Sequence, residues 1–240
     1  NAPEAKTIKD SLTETYLEEE TLQKKNADVV KVNDKTTAHT ESKKSVEELL
    51  QLGNEYLGKR NYRPAKIYYE KAIKKGSSKA MYKLGYMYSH SMGFPSDYKK
   101  AIYWYEMAVN KGEVEAMALL GDLYANDYAG LRDNMGKREY KKAKAWYEKA
   151  INKGNHTAAK YGLGTLYHFG NGVAKDYKKA AILLEEAARN GYAASMYALG
   201  NLYSNGGYGV QKDDSAAKYW YEKGCSAGLD FACSELKNYK

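Results

Sequence analysis

Two serine–lysine pairs have the spacing of an activated nucleophile. Ser96 precedes Lys99 and Ser215 precedes Lys218, which gives the pattern Ser-x-x-Lys twice. In penicillin-recognising enzymes a serine at this spacing is acylated, but those enzymes also carry Ser-Asp-Asn and Lys-Thr-Gly motifs, which this chain lacks. The two Ser-x-x-Lys pairs nevertheless leave a weak β-lactam-interacting enzyme as an alternative function. Acylation of Ser96 or Ser215 by a labelled penicillin would test it.

The other polar residues form no catalytic or metal-binding pattern. The chain has four histidines, none at the spacing of metal ligands: His39, His90, His156 and His168. The segment from Gly130 to Lys137 has one residue too many for a phosphate-binding loop and no Ser or Thr after its lysine. We therefore expect no catalytic residue, no metal and no cofactor, and predict that the protein is not an enzyme.

Lysine pairs recur at Lys99-Lys100, Lys141-Lys142 and Lys178-Lys179. The net charge is +8, which favours anionic partners or surfaces. A binder of anionic surfaces or nucleic acid through these lysines is a second alternative, and its affinity should collapse as salt rises. Nucleic acid needs exposed aromatic side chains beside the charge. We expect the three tryptophans to be buried, which makes nucleic acid an unfavoured partner: Trp104, Trp146 and Trp220.

The elements that position these residues repeat along the chain. The motif Leu-Gly-x-x-Tyr occurs five times, beginning at Leu52, Leu84, Leu120, Leu163 and Leu199. Each unit then closes on a glycine: Gly76, Gly112, Gly154, Gly191 and Gly228. The successive closing glycines are 36, 42, 37 and 37 residues apart. A fixed period in this range predicts a solenoid of stacked supersecondary units.

Each unit divides into two helices, helix A and helix B. In residues 78–112, Ala80, Leu84 and Tyr88 lie on one face of a predicted helix A over about 78–89. Asp97 has the position of an N-cap for helix B, and Gly112 that of a left-handed residue after its end. A glycine inside helix A destabilises the helix by about 1 kcal/mol relative to alanine. Because the glycine of Leu-Gly nevertheless recurs in every unit, we predict that a large Trp or Tyr of helix B packs closely against it.

These patterns predict the domain organisation. Residues 1–45 are a polar segment, partly helical or a flexible tether, and residues 46–76 form the first repeat. Four further repeats follow at 77–112, 113–154, 155–191 and 192–228, and residues 229–240 form a C-terminal capping helix. The third repeat carries an insertion from Gly130 to Glu139, and loop insertions often carry function.

The units resemble Sel-one-like repeats, relatives of tetratricopeptide repeats with a longer, glycine-rich loop. The fourth unit matches the pattern best, with Ala159, Leu163-Gly164, Tyr167, Gly170-Asn171-Gly172-Val173, Asp176, Lys179-Ala180, Ala187 and Gly191. The first unit is closer to a plain tetratricopeptide repeat. The resemblance covers residues 46–240 and implies an all-α, right-handed α-solenoid of antiparallel helix pairs. It also implies a non-enzymatic scaffold or adaptor for protein–protein interactions, here in a bacterial envelope or host-interaction context.

Tetratricopeptide relatives bind peptides in a concave groove formed by the A helices. The matching positions here are Tyr82, Tyr86, His90, Asp122, Asn126, Tyr161, Thr165, His168, Tyr197 and Asn201. Tyrosines interleaved with Asn, Asp and His would suit an extended ligand with polar and aromatic groups. Some of these tyrosines would instead simply pack between adjacent A helices, and both interpretations stay open.

Cys225 and Cys233 flank the last closing glycine. Secreted, cysteine-rich members of the family carry one cysteine late in helix B and one early in the next helix A, so the resemblance implies a disulfide here. The alternative is a pair of buried thiols in a cytoplasmic protein. Some of those relatives are associated with penicillin binding, which keeps the β-lactam alternative open.

A disulfide would agree with export. A start at Asn1 without methionine is explained most simply by removal of a secretion signal, with trimming as the competing explanation. No run approaches the roughly 18 to 20 apolar residues of a membrane span. We therefore expect an exported, periplasmic or secreted monomer, with a cytoplasmic one as the alternative. Its partner is a protein or peptide, and the positive charge favours an acidic one.

Overall fold

The computed structural model describes residues 44–126, 139–207 and 209–239. Nearly all of the segment predicted over residues 1–45, and all of the 130–139 insertion except Glu139, lie outside these ranges. The chain divides into two compact units, Asn1–Glu113 and Val114–Lys240. Each unit is described by itself below.

The described part of the first unit, from residue 44 onward, holds two helix pairs. They are α1 (Val46–Gly58) with α2 (Tyr62–Lys74), and α3 (Ser78–Ser89) with α4 (Tyr98–Asn110). The bounds of α3 are those predicted for helix A of that repeat. The odd-numbered helix of each pair is the A helix, and the even-numbered helix is the B helix.

The second unit continues the same order. Its helices are α5 (Val114–Ala125), α6 (Tyr140–Gly154), α7 (Thr157–Phe169), α8 (Tyr177–Arg189), α9 (Ala193–Asn205), α10 (Asp214–Ser226) and α11 (Asp230–Leu236), followed by a 3-10 turn at Lys237–Tyr239. In the described ranges the only β-type pairing is an isolated bridge between Gly207 and Val210. The predicted fold class, an all-α solenoid of repeated antiparallel helix pairs, is confirmed.

Aspartates begin three of the B helices. The side chains of Asp97, Asp176 and Asp213 each accept a hydrogen bond from the backbone N–H three residues later, at 2.9 to 3.0 Å. Each bond satisfies one of the N–H groups that a helix start leaves without a partner. The N-cap predicted at Asp97 is thus confirmed, and the repeat fixes where each of these helices begins.

The glycine of Leu-Gly makes room for a large side chain of the paired B helix, as predicted. A methyl group added at four of these glycines would collide with a tyrosine ring, in the pairs Gly53–Tyr69, Gly85–Tyr105, Gly121–Tyr147 and Gly200–Tyr221. These four tyrosines are almost completely buried. In the fourth repeat Leu184 replaces the tyrosine, and its Cγ would lie 3.0 Å from a Cβ at Gly164. We call the space beside each of these five glycines the glycine slot. The tryptophans, which were the other predicted candidates, do not fill it.

The closing glycines adopt the left-handed backbone conformation in four repeats, with φ between 84° and 93° at Gly76, Gly112, Gly191 and Gly228. The third repeat differs, because α6 includes Gly154 and Asn155 takes the left-handed conformation, with φ of 50°. A Cβ at Gly154 would lie 2.8 Å from a methyl group of Val114. Close packing against α5, rather than chain reversal, therefore requires the glycine at this position.

A second glycine contact links successive repeats. In the loops between A and B helices, Gly172 lies against Tyr140 and Gly207 lies against Tyr177, so that a Cβ at either glycine would overlap the tyrosine. In both cases the tyrosine begins the B helix of the preceding repeat. Gly93 and Tyr62 repeat the arrangement in the first unit. We call this contact the loop interlock.

Candidate functional site

The ten residues predicted to line a groove lie on A helices or directly after one, divided between the two units. Tyr82, Tyr86 and His90 belong to the first unit, at α3. The other seven belong to the second unit, at α5, α7 and α9. All ten are half-buried or exposed, and none belongs to the fully buried core.

In the first unit, Tyr86 and His90 stack at the end of α3. Their ring centroids are 3.9 Å apart, and the imidazole Nδ1 lies 2.8 Å from Ser89 Oγ. Ser89 Oγ also lies 3.1 Å from the hydroxyl of the buried Tyr105. The Tyr82 ring lies 6.3 Å from the same Tyr105. Tyr105 thus connects the predicted surface residues to the core of the unit.

In the third repeat, which begins the second unit, a carboxylate lies beside the buried tyrosine. The ring of Tyr147 lies between Gly121 of α5 and Gly162 of α7, because a Cβ at either glycine would overlap it. Its hydroxyl donates to Asp122 Oδ1 at 2.7 Å. Burial raises the pKa of the Asp122 carboxyl from its ordinary 3.8 to about 6, and the hydrogen bond from Tyr147 offsets part of that shift.

Two further tyrosines, from the next two repeats, lie within reach of the charge of this carboxylate. The rings of Tyr161 on α7 and Tyr192, the residue before α9, lie 5.2 Å apart. Burial raises the pKa of each phenol, and the negative charge of Asp122 raises it further. The pKa of Tyr147 is raised by the same two causes. One phenol, that of Tyr147, bonds to the carboxylate, and two more from the next two repeats lie within reach of its charge.

Asn201 occupies the position of Asp122 in the fifth repeat. Its Oδ1 accepts the hydroxyl of the buried Tyr221 at 2.7 Å, as Asn54 accepts that of Tyr69 at 2.8 Å in the first repeat. A buried hydroxyl without a partner costs about 1 to 3 kcal/mol. Asp122 and Asn201 thus have a structural contact that the sequence did not reveal.

The Tyr197 ring lies near both the buried Tyr221 of its own repeat and the C-terminal helix α11. It lies 6.0 Å from the ring of Tyr221 and 6.3 Å from that of Phe231 on α11. Phe231 is 70% exposed. Tyr161 and Tyr197 therefore hold equivalent positions in successive A helices, and each lies beside an aromatic residue at the start of the following A helix.

The remaining three predicted residues have other neighbours. Thr165 donates to the backbone carbonyl of Gly162 at 2.7 Å, and Asn126 to that of Asp122 at 2.7 Å. The His168 ring packs against Phe169 and Tyr177, with centroids 4.6 and 5.4 Å away. Burial, then the nearby charge of Lys175, lowers the pKa of His168. Of the seven predicted residues in this unit, Asp122 and Tyr161 come together around Tyr147.

The two lysines of each pair differ in their surroundings. The second lysine lies over the tyrosine of Leu-Gly-x-x-Tyr, with Nζ 5.2 to 5.7 Å from the ring centroid: Lys100 over Tyr88, Lys142 over Tyr124 and Lys179 over Tyr167. The same lysine pairs with the acidic residue before its helix, Asp97, Glu139 or Asp176. The first lysine, Lys99, Lys141 or Lys178, is exposed. Half of each pair therefore helps to hold its own repeat.

The tryptophans follow the prediction only in part. Trp104 is buried, whereas Trp146 and Trp220 are half-buried. Trp146 has Lys149 Nζ 4.2 Å from its ring centroid. An i,i+3 lysine can cover a helical aromatic in this way.

Cys225 and Cys233 form a disulfide, with Cα atoms 4.6 Å apart. The bond joins the last turn of α10 to the first turn of α11. Gly228, with φ of 86°, reverses the chain between them. The pairing implied by the resemblance is therefore present in the structure.

The two Ser-x-x-Lys pairs lie at the starts of B helices, as expected from the repeat. Ser96 precedes the N-cap Asp97, and Ser215 lies in the first turn of α10. All four residues of the two pairs, Ser96, Lys99, Ser215 and Lys218, are exposed. Within the described ranges, no three His, Cys, Asp or Glu side chains are grouped so as to hold a metal ion.

None of the helices in the described part of the chain combines the length and the apolar character that crossing a bilayer requires.

Comparison with known proteins supports the repeat assignment. The model of the Sel1 repeat matches five successive segments, residues 49–77, 78–113, 114–155, 157–192 and 193–229. The first of them, which lacks the glycine-rich loop, is matched by the same model. No curated protein matches the chain significantly in sequence.

Solved structures give the same result. A Sel1 repeat protein from Oxalobacter formigenes superposes with a TM-score of 0.68 at 26% identity, over 80% of this chain and 75% of that one. A protective antigen of uropathogenic Escherichia coli with an SLR fold superposes with a TM-score of 0.65 at 26% identity. That alignment covers 80% of this chain and 40% of the antigen. A Sel1 repeat protein from Klebsiella pneumoniae shares the fold at 21% identity and a TM-score of 0.55, over 80% of this chain and 92% of that one.

Proteins built of these repeats are generally non-enzymatic scaffolds that mediate protein interactions. Five matched segments cover most of the chain, and two neighbours share both the fold and about a quarter of their residues. On this evidence, the chain belongs to the Sel1 repeat family.

Proposed function

We propose that the protein is an exported, monomeric scaffold that binds a protein or peptide partner along the A-helix face of its repeats. We define the A-helix face of the second unit by Tyr161, Tyr192, Tyr197, Asn201 and Phe231. The partner is an extended segment, whose polar and aromatic groups match those of the face. Sedimentation of the free protein at a mass near 27.0 kDa checks that it is a monomer.

One observation carries the proposal. Tyr161 and Tyr197 occupy equivalent positions on α7 and α9, and each lies beside an aromatic residue of the next repeat, Tyr192 or Phe231. Partly exposed tyrosines provide large, rigid contact area together with a hydroxyl that can donate or accept. Repeated at one register, they form a regularly spaced row, which suits a ligand that runs along the face.

Two further observations support parts of the proposal. The disulfide between Cys225 and Cys233 is of a kind that persists in oxidising compartments and is rare in the cytosol, which favours export. The net charge of +8 favours encounter with an acidic partner. The exposed first lysines, Lys99, Lys141 and Lys178, contribute to that charge.

The test is capture of partners by the full chain from an extract of the organism that encodes it. The variant Tyr161→Ala/Tyr197→Ala removes the repeated tyrosines of the face. Tyr219→Ala is the matched control, since Tyr219 is a half-exposed tyrosine on the B helix α10. We expect a partner that the wild type and the control retain and that the double variant loses, while circular dichroism shows that all three are folded. Equal capture by all three proteins would contradict the proposal and would place the binding surface elsewhere.

A further inference from the structure

The negative charge of Asp122 is not needed by the fold. The residue after the motif glycine accepts the hydroxyl of the buried tyrosine in three repeats, and in two of them it is an asparagine: Asn54 for Tyr69 and Asn201 for Tyr221. The two hydrogen bonds measure 2.8 and 2.7 Å, against 2.7 Å for Tyr147 and Asp122. An amide therefore does the structural work of this position equally well within the same chain.

The charge of Asp122 is also unfavourable where it lies. Burial opposes ionisation of the carboxyl, and Tyr147 compensates only partly. Among the residues that the structure describes, Asp122 takes part in no ion pair, whereas Asp97, Asp176 and Asp214 each pair with a lysine. A carboxylate kept in such surroundings, although a neutral residue would serve the fold, is characteristic of a functional position.

We propose that Asp122, together with Tyr161 and Tyr192, binds a cationic side chain of the partner, a lysine ammonium or an arginine guanidinium. We call these three residues the Asp122 site. The proposal rests on the proposed function and adds the chemistry of one anchor residue to it. An acidic partner with one basic residue at this point would satisfy both.

The chemistry of the site fits a cation. Tyr147 occupies Oδ1 of Asp122. None of the described residues donates a hydrogen bond to Oδ2, so its lone pairs can accept an N–H group of a ligand. The phenols of Tyr161 and Tyr192 lie close enough to Asp122 for its charge to raise their pKa. Phenol oxygens accept N–H hydrogen bonds, and tyrosine rings attract cations. A half-buried carboxylate gains more from a counter-charge than an exposed one does, because solvent screens the pair less.

The site also distinguishes this repeat from its neighbours. At the position of Asp122 the other repeats carry Asn54, Tyr86, Thr165 and Asn201, and at the position of Tyr192 they carry Ser77, Glu113, His156 and Leu229. Only the junction of the third, fourth and fifth repeats combines the carboxylate with both phenols. The rest of the face can therefore hold the partner, while this junction fixes its register.

The test is a nuclear magnetic resonance titration of the isotope-labelled full chain with small probes. The cationic probes are N-acetyl-arginine amide and N-acetyl-lysine amide, and N-acetyl-citrulline amide is the neutral isostere of the first. We expect saturable shifts at the carboxyl carbon of Asp122 and at Tyr161 and Tyr192 for the cations, with a Kd of about 1 mM, ordinary for so small a ligand. The citrulline probe should give no saturable shift at these residues.

Two variants complete the test. Asp122→Asn keeps an acceptor for Tyr147, as Asn201 does for Tyr221, and should bind the cationic probes at least about tenfold more weakly. Glu222→Gln removes a charge from an exposed position on α10 and should bind them as the wild type does. The absence of saturable shifts, equal shifts with citrulline, or an unchanged Kd for Asp122→Asn would each overturn the proposal.

Failure of the Asp122 site can be distinguished from failure of the proposed scaffold function. If the Asp122 site binds no cation but the Tyr161→Ala/Tyr197→Ala protein still loses its partner, the face binds the partner without a cationic anchor. If the site binds the cationic probes and the partner is captured equally by that variant, the scaffold proposal fails, while the cation site stands.

Discussion

A single residue, Asp122, shows how one position can serve both the fold and a ligand. Its Oδ1 accepts the hydroxyl of Tyr147, and the oxygen of an asparagine would accept it as well. The fold therefore does not require the negative charge of Asp122. Sequence alone placed Asp122 on the predicted face, because the repeat gives its register. It could not show that the side chain is held by Tyr147, since that contact depends on the distance between two helices.

The charge of Asp122 should cost stability at neutral pH. The carboxyl has a pKa of about 6 in the folded protein, against an ordinary 3.8, so folding favours its protonated form. The penalty is absent below pH 3.8, grows as the pH rises from 3.8 to 6, and is complete above 6. We expect Asp122→Asn to raise the free energy of unfolding by about 1 to 3 kcal/mol at pH 7.5 and to change it little at pH 3.5, as measured by urea unfolding.

The reverse substitution is the control for this prediction. Asn201→Asp places a carboxylate at the equivalent position beside Tyr221 and should lower stability at pH 7.5 but not at pH 3.5. If Asp122→Asn were no more stable than the wild type at pH 7.5, the carboxylate would not be destabilised by burial, and part of the case for a functional charge would fall.

Among the elements, the B helices are where prediction from the sequence worked best. Aspartate N-caps, the glycine slot and most closing glycines follow from local rules applied to a repeated pattern, and the structure agrees with them. The tyrosine in the slot could have been found by aligning Tyr69, Tyr105, Tyr147 and Tyr221 across the repeats. Tyr192 could not have been found in this way, because the residues at the equivalent position of the other repeats are of four different types.

The glycine slot predicts a graded response to a single methyl group. Gly200→Ala should destabilise the protein by up to about 2 kcal/mol, because the methyl group overlaps the Tyr221 ring, overpacking of this kind costs about 1 to 3 kcal/mol and the helix propensity of alanine returns about 1 kcal/mol. Gly164→Ala faces Leu184, with the nearest carbon at 3.0 Å. There the helix propensity of alanine, worth about 1 kcal/mol, should offset most of the strain. Denaturant unfolding of the two variants, compared with the wild type, measures the difference.

A rescue experiment shows whether the tyrosine is the cause. Tyr221→Leu reproduces in the fifth repeat the side chain that the fourth repeat has, so Gly200→Ala should be less harmful in that background than in the wild type. An equal loss in both backgrounds would mean that another contact of Gly200 decides the outcome.

At the scale of the whole molecule, stability in a repeat protein is built from neighbours. In such proteins each repeat packs mainly against its immediate neighbours, so a change at one end is felt mainly at that end. The core clusters of the second unit agree with this. Ala181, Leu184, Leu199 and Leu202 belong to one cluster, whereas Ala217, Tyr221 and Ala232 belong to another. The disulfide between α10 and α11 lies beside the second cluster.

Removal of that disulfide should therefore have a local effect. The variant Cys225→Ser/Cys233→Ser loses a cross-link that closes a short loop, worth about 2 to 3 kcal/mol. We expect faster amide hydrogen exchange in α11 and the last turn of α10, with little change in α7 and α8. Faster exchange throughout the second unit would show that the unit unfolds as a whole and that the nearest-neighbour description fails for it.

The loop interlock has a consequence for how such a chain can change its length. In the second unit its two halves lie on opposite sides of a repeat boundary, since Tyr140 meets Gly172 and Tyr177 meets Gly207. Excision of residues 155–191, one 37-residue period, would bring Tyr140 to the loop that carries Gly207 and restore the same contact at the new junction. Duplication would do likewise. Copy number can thus vary by recombination without new interfaces, whereas the Asp122 site would not survive the excision, because Leu229 would replace Tyr192.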